Sequence, residues 1–250
     1  MSGNERAYKT HGIVLRARNL GEADKIFTLF TGEHGKIDAV GKGVRRAKSQ
    51  LSGKLEFMSE AALTMHRGRH LDIVTSAQIE CAHWTEIVEP ARFATAHLIA
   101  ELIDAFCEID LAMPEIYALL RGVLRAIARS DDPAGLVPRF ELRLLGALGL
   151  APVSGTCVRC DRSLDDAAAW ADIEAGGLAC AACRPHRADA FALEPDDVRN
   201  FRGLAAAAGD EVAAVTRATP AAARAADAFL TWHLGKRPKS SKLLDDLAHA

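Results

Sequence analysis

The hydrophobic pattern of this 250-residue chain changes its period once, at Glu89-Pro90. Before that point, β-favouring runs alternate with turn-like segments rich in glycine and charged residues. The runs are GIVLRAR, KIFTLF, KIDAVGKG, LEFMSEAALTMH and LDIVTSAQIE. Five short strands within about seventy residues indicate a small closed barrel of the OB type and not an open sheet.

After Glu89-Pro90, apolar residues recur at the three-to-four spacing of amphipathic helices. Helices are expected over 93–109, 116–127, 137–148, from Pro195 onward, over 220–234 and over 240–248. The region 151–190 interrupts this pattern. The chain therefore resembles a β-barrel followed by a helical part with an insertion.

Four of the six cysteines form two C-x-x-C pairs within that insertion. Cys157 and Cys160 make the first pair, and Cys180 and Cys183 follow after nineteen residues. This spacing is typical of a four-thiolate zinc site, in which each pair presents two sulfurs to one ion. His186 in place of one cysteine is an alternative ligand set. A site with four protein ligands has no open position for water, so we expect one structural Zn²⁺.

A redox role for one pair is the competing interpretation, but such motifs occur singly and open a helix in a βαβ context that this sequence lacks. Cys81 and Cys107 lie in apolar or helical context and are expected to pack as small hydrophobes. The opening MSGNERAYKT has no signal-peptide stretch, and no run of about 18 apolar residues occurs. We therefore expect a cytoplasmic protein with reduced thiols and no membrane span.

Charge is distributed unevenly, although the formal net charge is only −2. Residues 1–80 hold 13 basic and 9 acidic side chains, whereas residues 81–250 hold 18 basic and 24 acidic ones. Within 36–54, six lysines and arginines face only Asp38. Such a cluster can attract a polyanion by releasing its counterions, and a solvated surface loop is the alternative explanation.

The candidate DNA contacts are cations of the strands, of this basic stretch and of the HRGR turn. They are Arg16, Arg18, Lys36, Lys42, Arg45, Arg46, Lys48, Lys54, Arg67 and Arg69. Exposed aromatic platforms are sparse, because Phe27, Phe30 and Phe57 are expected to fill the barrel core. Binding would then depend on phosphate contacts, accept duplex as well as single strands, and weaken with salt.

A second basic patch, at 233–242, contains four cations and no acidic residue. It is explained either by cations that complement a helix C-terminus or by docking of an acidic peptide tail. Signatures of catalysis are absent, since the sequence has no P-loop, no H-E-x-x-H and no G-x-S-x-G. We therefore expect no enzymatic activity.

The N-terminal region resembles the RecO family of bacterial recombination mediators. The closest matches are GEADKIFTLFTGEHGK, GKGVRRAKS and HRGRHLDIVTSAQ, and the C-x-x-C pairs and the terminal HLGKRPKSSKLL also look like that family. Two details depart from its pattern: Asp161 stands where a glycine is common, and Ser241 intervenes before Lys242. The resemblance spans essentially the whole chain.

The resemblance implies an OB-fold barrel, a helical domain and a zinc hairpin. It also implies binding of single- and double-stranded DNA, strand annealing and partnership with RecR at the nucleoid. The family engages the acidic C-terminal tail of single-stranded DNA-binding protein and helps to load RecA. The family's basic loop falls on Lys42, Arg45, Arg46 and Lys48, with Arg67 and Arg69 on the hairpin turn, and its zinc ligands fall on Cys157, Cys160, Cys180 and Cys183.

We therefore expect an α+β protein, with a five-stranded OB-fold β-barrel followed by an all-helical domain that carries an inserted zinc hairpin. The expected domains are residues 1–82, which bind DNA, and 83–250, with the hairpin at 154–190. The expected function is recombination mediation in DNA repair. The alternative is a zinc-stabilised protein-interaction adaptor whose basic loop contacts an acidic partner and no DNA.

Overall fold

A computed structural model of the protein describes residues 6–165, 167–187, 190–206 and 217–248. Its N-terminal strands are β1 (Ala7–Leu20), β2 (Asp24–Thr31), β3 (Gly35–Gly41), β4 (Ser59–His66) and β5 (Asp72–Ala82). Each predicted run corresponds to one strand. β4 begins at Ser59 and not at Leu55, because Met58 has a positive φ of 59° that interrupts the extended conformation.

The five strands follow one another in the hydrogen-bonding order β1-β2-β3-β5-β4, and β4 pairs back with β1. A β-bulge between Val14 and Arg16 bends β1, whose first half pairs with β4 and whose second half pairs with β2. The β3–β5 seam is parallel and consists only of Ala39 and Val40 opposite Asp72 and Ile73. This ring with one short seam is the OB-like arrangement that the strand pattern predicts.

The barrel interior is filled mainly by aliphatic side chains. Its buried set comprises Val14, Phe27, Leu29, Ile37, Ala39, Val44, Leu51, Leu55, Ala61, Leu63, Met65, Val74 and Ala77. Three of them, Val44, Leu51 and Leu55, belong to residues 42–57, which lie between β3 and β4 and which we call the basic turn segment. The predicted cationic loop is therefore a series of turns whose apolar side chains complete the barrel core.

Three helices pack with the barrel in a first compact unit, which contains the described residues up to Arg129 and from Lys239 onward. They are α1 (Pro90–Phe106), α2 (Pro114–Arg129) and α6 (Ser241–Ala248). α1 begins earlier than predicted because the Glu89 carboxylate accepts hydrogen bonds from the N–H groups of Ala91 and Arg92. Cys107 is buried just after α1, as expected for a small hydrophobe.

Residues Ser130–Pro238 form a second compact unit. Its elements are α3 (Val137–Ala147), β6 (Ala169–Asp172), β7 (Gly177–Ala179), β8 (Ala192–Leu193), α4 (Pro195–Ala205) and α5 (Pro220–Leu234). The strands form a small sheet in the order β7-β6-β8, and the rings of Phe201 and Phe229 pack 6.0 Å apart between α4 and α5. α5 ends where Gly235 takes a φ of 72°, a common helix stop.

This division by compactness differs from the predicted boundary after residue 82, which marks where strands give way to helices. α1 and α2 group with the barrel because α1 contacts β1 and α2 contacts β2. The predicted insertion at 154–190 contains β6, β7 and both C-x-x-C pairs. Within the described ranges, no helix is both long enough and apolar enough to cross a membrane.

Candidate metal centre and nucleic-acid interface

Four cysteine thiols converge in the second unit. Cys157 and Cys160 lie in the turn that precedes β6, and Cys180 and Cys183 follow β7. Their Sγ atoms all lie within 4.8 Å of one another. β6 and β7 form a hairpin whose turn includes Gly176 with a φ of 75°, and this hairpin brings the second pair to the first. The structure thus brings together the four predicted ligands.

The backbone around this cluster favours the thiolate form of Cys157. Its Sγ accepts hydrogen bonds from the N–H groups of Arg159 at 3.5 Å and Cys180 at 3.3 Å. Burial raises the pKa of the Cys157 thiol, but the backbone N–H groups outweigh burial and bring that pKa to about 6. Because the thiolate is the metal-binding form, the donor set fits a four-cysteine zinc site. Zinc bound there would cross-link the two turns.

One side-chain contact fixes the first of the two cysteine turns. Arg159 donates from Nε to Oδ2 of the buried Asp172 at 2.7 Å, which ties the first turn to β6. Asp161 follows the second cysteine with a φ of 57°, in the left-handed region where glycine is favoured. His186 is exposed and does not join the cluster, so cysteines alone form the ligand group found among the described residues.

The first unit contains a concave surface of about 600 Å³, which we call the basic cavity. Lys42, Arg46 and Lys48 of the basic turn segment line one side, and Ile73–Thr75 of β5 line the other. None of the described residues that line it is acidic. Three cations around one concave surface produce a positive potential that suits an anionic chain.

Backbone hydrogen bonds position these cations. The Gly43 N–H donates to Oδ1 of Asp24 at 2.7 Å, and the Arg45 N–H donates to the Ala23 carbonyl at 2.9 Å. Both bonds tie the start of the basic turn segment to the turn between β1 and β2. The Arg45 side chain also donates to the Gly21 carbonyl, so its guanidinium lies beside that turn.

The other predicted cations lie in different surroundings. Arg18, Arg67 and Arg69 are exposed, and Lys54 is half-buried. The Arg67 guanidinium lies 5.2 Å from the centroid of the Tyr8 ring, a cation–π arrangement. These residues extend the positive surface of the barrel beyond the basic cavity.

Two of the predicted DNA-contacting cations, Lys36 and Arg16, form ion pairs within the fold. The Lys36 side chain is only 12% exposed, and its Nζ lies 3.1 Å from Oδ1 of Asp104 on α1. Arg16 pairs with the other oxygen of the same carboxylate at 2.9 Å. Lys36 therefore points towards α1 and not to solvent, because Asp104 offers it an ion pair there.

Sequence reasoning missed an aromatic cluster at the end of the basic turn segment. Phe57, expected in the barrel core, is half-buried outside it, with its ring stacked on His97 of α1 at 4.1 Å and 16°. Phe93, also on α1, contacts both rings. Phe27 and Phe30 are buried as predicted. Phe57 differs because it precedes β4, and no local pattern relates it to the two rings on α1.

A buried carboxylate lies where β4 meets α2. Glu60 is 3% exposed; its Oε1 lies 2.6 Å from Arg121 Nε, and it accepts a hydrogen bond from Tyr117 at 3.3 Å. Its Oε2 lies 3.7 Å from Nε2 of the buried His83. Burial raises the pKa of Glu60, but His83, Arg121 and Tyr117 outweigh burial and lower that pKa below its usual value.

Two family models match the chain, one on either side of the change in hydrophobic pattern. Residues 3–81 match "Recombination protein O N terminal", and residues 89–242 match "Recombination protein O C terminal". Together they cover both the strand region that holds the basic cavity and the region that holds the four cysteines.

Curated relatives agree with these models. The chain is 36% identical over 200 residues to the DNA repair protein RecO of Bifidobacterium longum, covering 79% of this chain and 82% of that protein. It is 38% identical to the protein of the same name from Bifidobacterium longum subsp. infantis, with the same coverage. The corresponding Bifidobacterium adolescentis protein is 37% identical over 202 residues, covering 79% of this chain and 81% of that protein. The chain therefore belongs to the RecO family of DNA repair and recombination proteins.

Proposed function

We propose that this chain is a recombination mediator that binds single- and double-stranded DNA, anneals complementary strands and, together with RecR, helps to load RecA at the nucleoid. The DNA it acts on is coated with single-stranded DNA-binding protein. The observation that carries the proposal is the basic cavity, whose lining includes Lys42, Arg46 and Lys48 and no acidic residue among those described. Cations without a competing carboxylate bind phosphates by displacing counterions.

We assign the DNA contact to the basic turn segment and its exposed neighbours. The assigned residues are Arg18, Lys42, Arg45, Arg46, Lys48, Lys54, Arg67 and Arg69. Arg16 and Lys36 act indirectly, since both pair with Asp104 and thereby hold β1 and β3 against α1. Phosphate contacts leave the base edges free, so two bound strands can still pair. The chain acts by binding, and no covalent step is required of it.

The zinc ion assigned to Cys157, Cys160, Cys180 and Cys183 has a structural role in this proposal. Four protein ligands leave no open coordination position, which excludes activation of water by that ion. The ion would instead supply folding free energy to a hairpin whose strands β6 and β7 are only four and three residues long.

A cavity of about 570 Å³ in the second unit supports the proposed partnership with the acidic tail of single-stranded DNA-binding protein. Phe191 and Trp232 supply apolar surface there, whereas the charges of Arg187 and Arg237 are offset by Asp172, Glu174 and Asp227 in the same lining. The apolar surface is therefore the part of this cavity that supports docking of the tail. A labelled peptide that carries this tail should bind the protein, and Trp232→Ala should weaken that binding. Unchanged peptide binding by the variant would remove this cavity from the proposal.

The test of DNA binding is the double variant Arg46→Glu/Lys48→Glu, with Arg125→Glu on the exposed face of α2 as a charge-reversal control. Fluorescence anisotropy would follow labelled single and duplex DNA between about 50 and 200 mM salt, where affinity should fall steeply. The double variant should bind both DNAs at least tenfold more weakly, with a salt slope smaller by about 2 than that of the parent. Annealing of complementary strands should slow in parallel.

Binding by the parent protein that is insensitive to salt would contradict the proposal. The adaptor alternative predicts that the double variant loses an acidic protein partner while DNA binding is absent in parent and variant alike. Annealing of strands coated with single-stranded DNA-binding protein, with and without its acidic tail, tests the recruitment step separately.

A further inference from the structure

The aromatic cluster lines a cleft of about 530 Å³ in the first unit, between α1 and the end of the basic turn segment. Phe57, Phe93 and His97 supply its rings, and Leu15 and Leu55 supply aliphatic surface. We call this surface the aromatic cleft. Its volume exceeds what a single flat heterocycle requires, and it is separate from the basic cavity.

The three rings of the aromatic cleft pack against one another in stacked and edge-to-face arrangements. Phe57 and His97 are nearly parallel, with centroids 4.1 Å apart, and Phe93 meets them edge-on at 5.9 and 4.4 Å. Phe93 is 43% exposed, so part of its ring is accessible to a ligand. Burial lowers the pKa of His97, so its imidazole is neutral near pH 7 and behaves as an aromatic surface.

The charges around the aromatic cleft balance, because Arg16, Lys36 and Lys239 are matched by Asp104, Glu101 and the exposed Glu56. Glu101 is occupied by hydrogen bonds from the backbone N–H groups of Lys239 and Ser240 at 2.8 and 2.7 Å. Asp104 faces two cations, Arg16 and Lys36, so that group carries a net positive charge. The exposed Lys239 adds a further positive charge beside the cleft.

We propose that the aromatic cleft is a stacking site for one unpaired nucleobase of single-stranded DNA. The proposal rests on the proposed function and deepens it, because the basic turn segment runs from the cations of the basic cavity directly to Leu55 and Phe57. A strand whose phosphates follow that segment reaches the cleft with a base free to stack. Duplex DNA offers no such base, since its bases are stacked on one another.

This site gives the protein a means to distinguish single strands from duplex. Phosphate contacts alone bind both forms, whereas a stacked base adds affinity only for the unpaired form. A base held by its face also keeps its hydrogen-bonding edge available to a complementary strand. The aromatic cleft would therefore present a base for pairing during annealing.

The experiment compares the full-length protein with the cleft variants Phe93→Ala and Phe57→Leu. The control variant is Trp84→Ala, which removes a partly exposed aromatic ring elsewhere in the first unit. The probes are oligo(dT) of about 20 nucleotides, an abasic strand of the same length, and duplex. The parent protein should bind oligo(dT) about tenfold more tightly than the abasic strand, the gain that one stacked base provides. Both cleft variants should lose this difference without a change in duplex affinity, and Phe93→Tyr and Trp84→Ala should retain it.

Each other outcome overturns the inference in an identifiable way. If Phe93→Ala weakens oligo(dT), abasic strand and duplex equally, the rings only support the fold. If it changes none of them, the aromatic cleft serves another ligand, such as an apolar side chain of a protein. If the parent protein binds abasic strand and duplex but shows no preference for oligo(dT), the stacking site fails while the proposed function stands. If it binds no DNA, both fail.

Discussion

Asp161 follows the first C-x-x-C pair directly, and its backbone has a conformation that favours glycine over aspartate. The turn after Cys160 requires a φ of 57°, which glycine adopts freely and aspartate adopts at a modest cost. Asp161 also places a negative charge directly after Cys160, whose sulfur becomes negatively charged when it binds a metal. Both effects favour glycine at this position.

Asp161→Gly should therefore stabilise the zinc-loaded protein by about 0.5–1 kcal/mol in urea unfolding. Asp161→Asn separates the two causes, because asparagine tolerates the left-handed region but carries no charge. A gain for glycine alone identifies the backbone as the cause, and equal gains identify the charge. Destabilisation by glycine would contradict the strain assigned to this turn.

Glu60 is a second residue whose importance depends on its surroundings. It lies on a strand whose other buried positions are apolar or small, yet its carboxylate is buried against Arg121 and His83. A buried carboxylate is tolerated only when such partners compensate for lost hydration. Removing the charge leaves those partners uncompensated.

Glu60→Gln should lower the free energy of unfolding by about 3 kcal/mol at pH 7. Because the pKa of Glu60 lies below its usual value in the folded protein, its contribution is complete above the unfolded pKa and is lost as pH falls through the folded one. The difference between parent and variant should therefore shrink below about pH 4. Urea titrations at several pH values measure it, and a difference that is constant with pH would contradict the assignment.

At the scale of elements, the basic turn segment both contributes to the barrel core and carries the cations of the basic cavity. Its sequence pattern does not show the first of these roles. Its charged residues suggest a loose solvated loop, but Val44, Leu51 and Leu55 are buried in the barrel core. Burying such side chains stabilises a fold by roughly 1.5–3 kcal/mol each. The cations between them are therefore held in place by the core beneath.

Leu51→Ala should accordingly destabilise the protein by about 3 kcal/mol and also weaken DNA binding, although no cation is removed. Ser52→Ala, at an exposed neighbouring position outside the basic cavity, serves as the matched control and should change neither property. Calorimetry and anisotropy below the unfolding transition would measure the two effects. Loss of stability with full DNA affinity would show that the cations need no anchoring.

At the scale of the molecule, the net charge of −2 is the sum of two different surfaces. The positive excess belongs to the strand region, where the basic cavity lies, and the negative excess belongs to the rest of the chain. The four cysteines lie in the other compact unit. Because the cysteine cluster lies in one unit and the cation cluster in the other, the two can be perturbed separately.

Chelation should release about one equivalent of zinc and unfold the hairpin, because its short strands cannot bury enough surface alone. Hydrogen exchange should then show lost protection in β6 and β7, while β1–β5 keep theirs. Cys160→Ser should have the same regional effect without a chelator. A metal-free preparation with four reactive thiols and unchanged stability would contradict the structural role.

Much of this arrangement follows from local patterns in the chain. The five strands, the helices after Pro90 and the convergence of Cys157 with Cys183 all come from spacing that short-range geometry dictates. Local patterns do not reveal an environment that distant parts of the chain build. Lys36 meets Asp104 on α1, and Phe57 meets His97 on the same helix.

The order of strands and helices, the four cysteines that converge and the family all follow from residue type and spacing, because local patterns encode each of them. Which cations remain available to a ligand, and which aromatic rings form a surface, depends on how distant parts of the chain pack together. Lys36 is held in an ion pair with Asp104, whereas Lys42, Arg46 and Lys48 line the basic cavity. Charge alone does not separate these residues, because ion pairing and burial depend on which side chains the packed elements bring together.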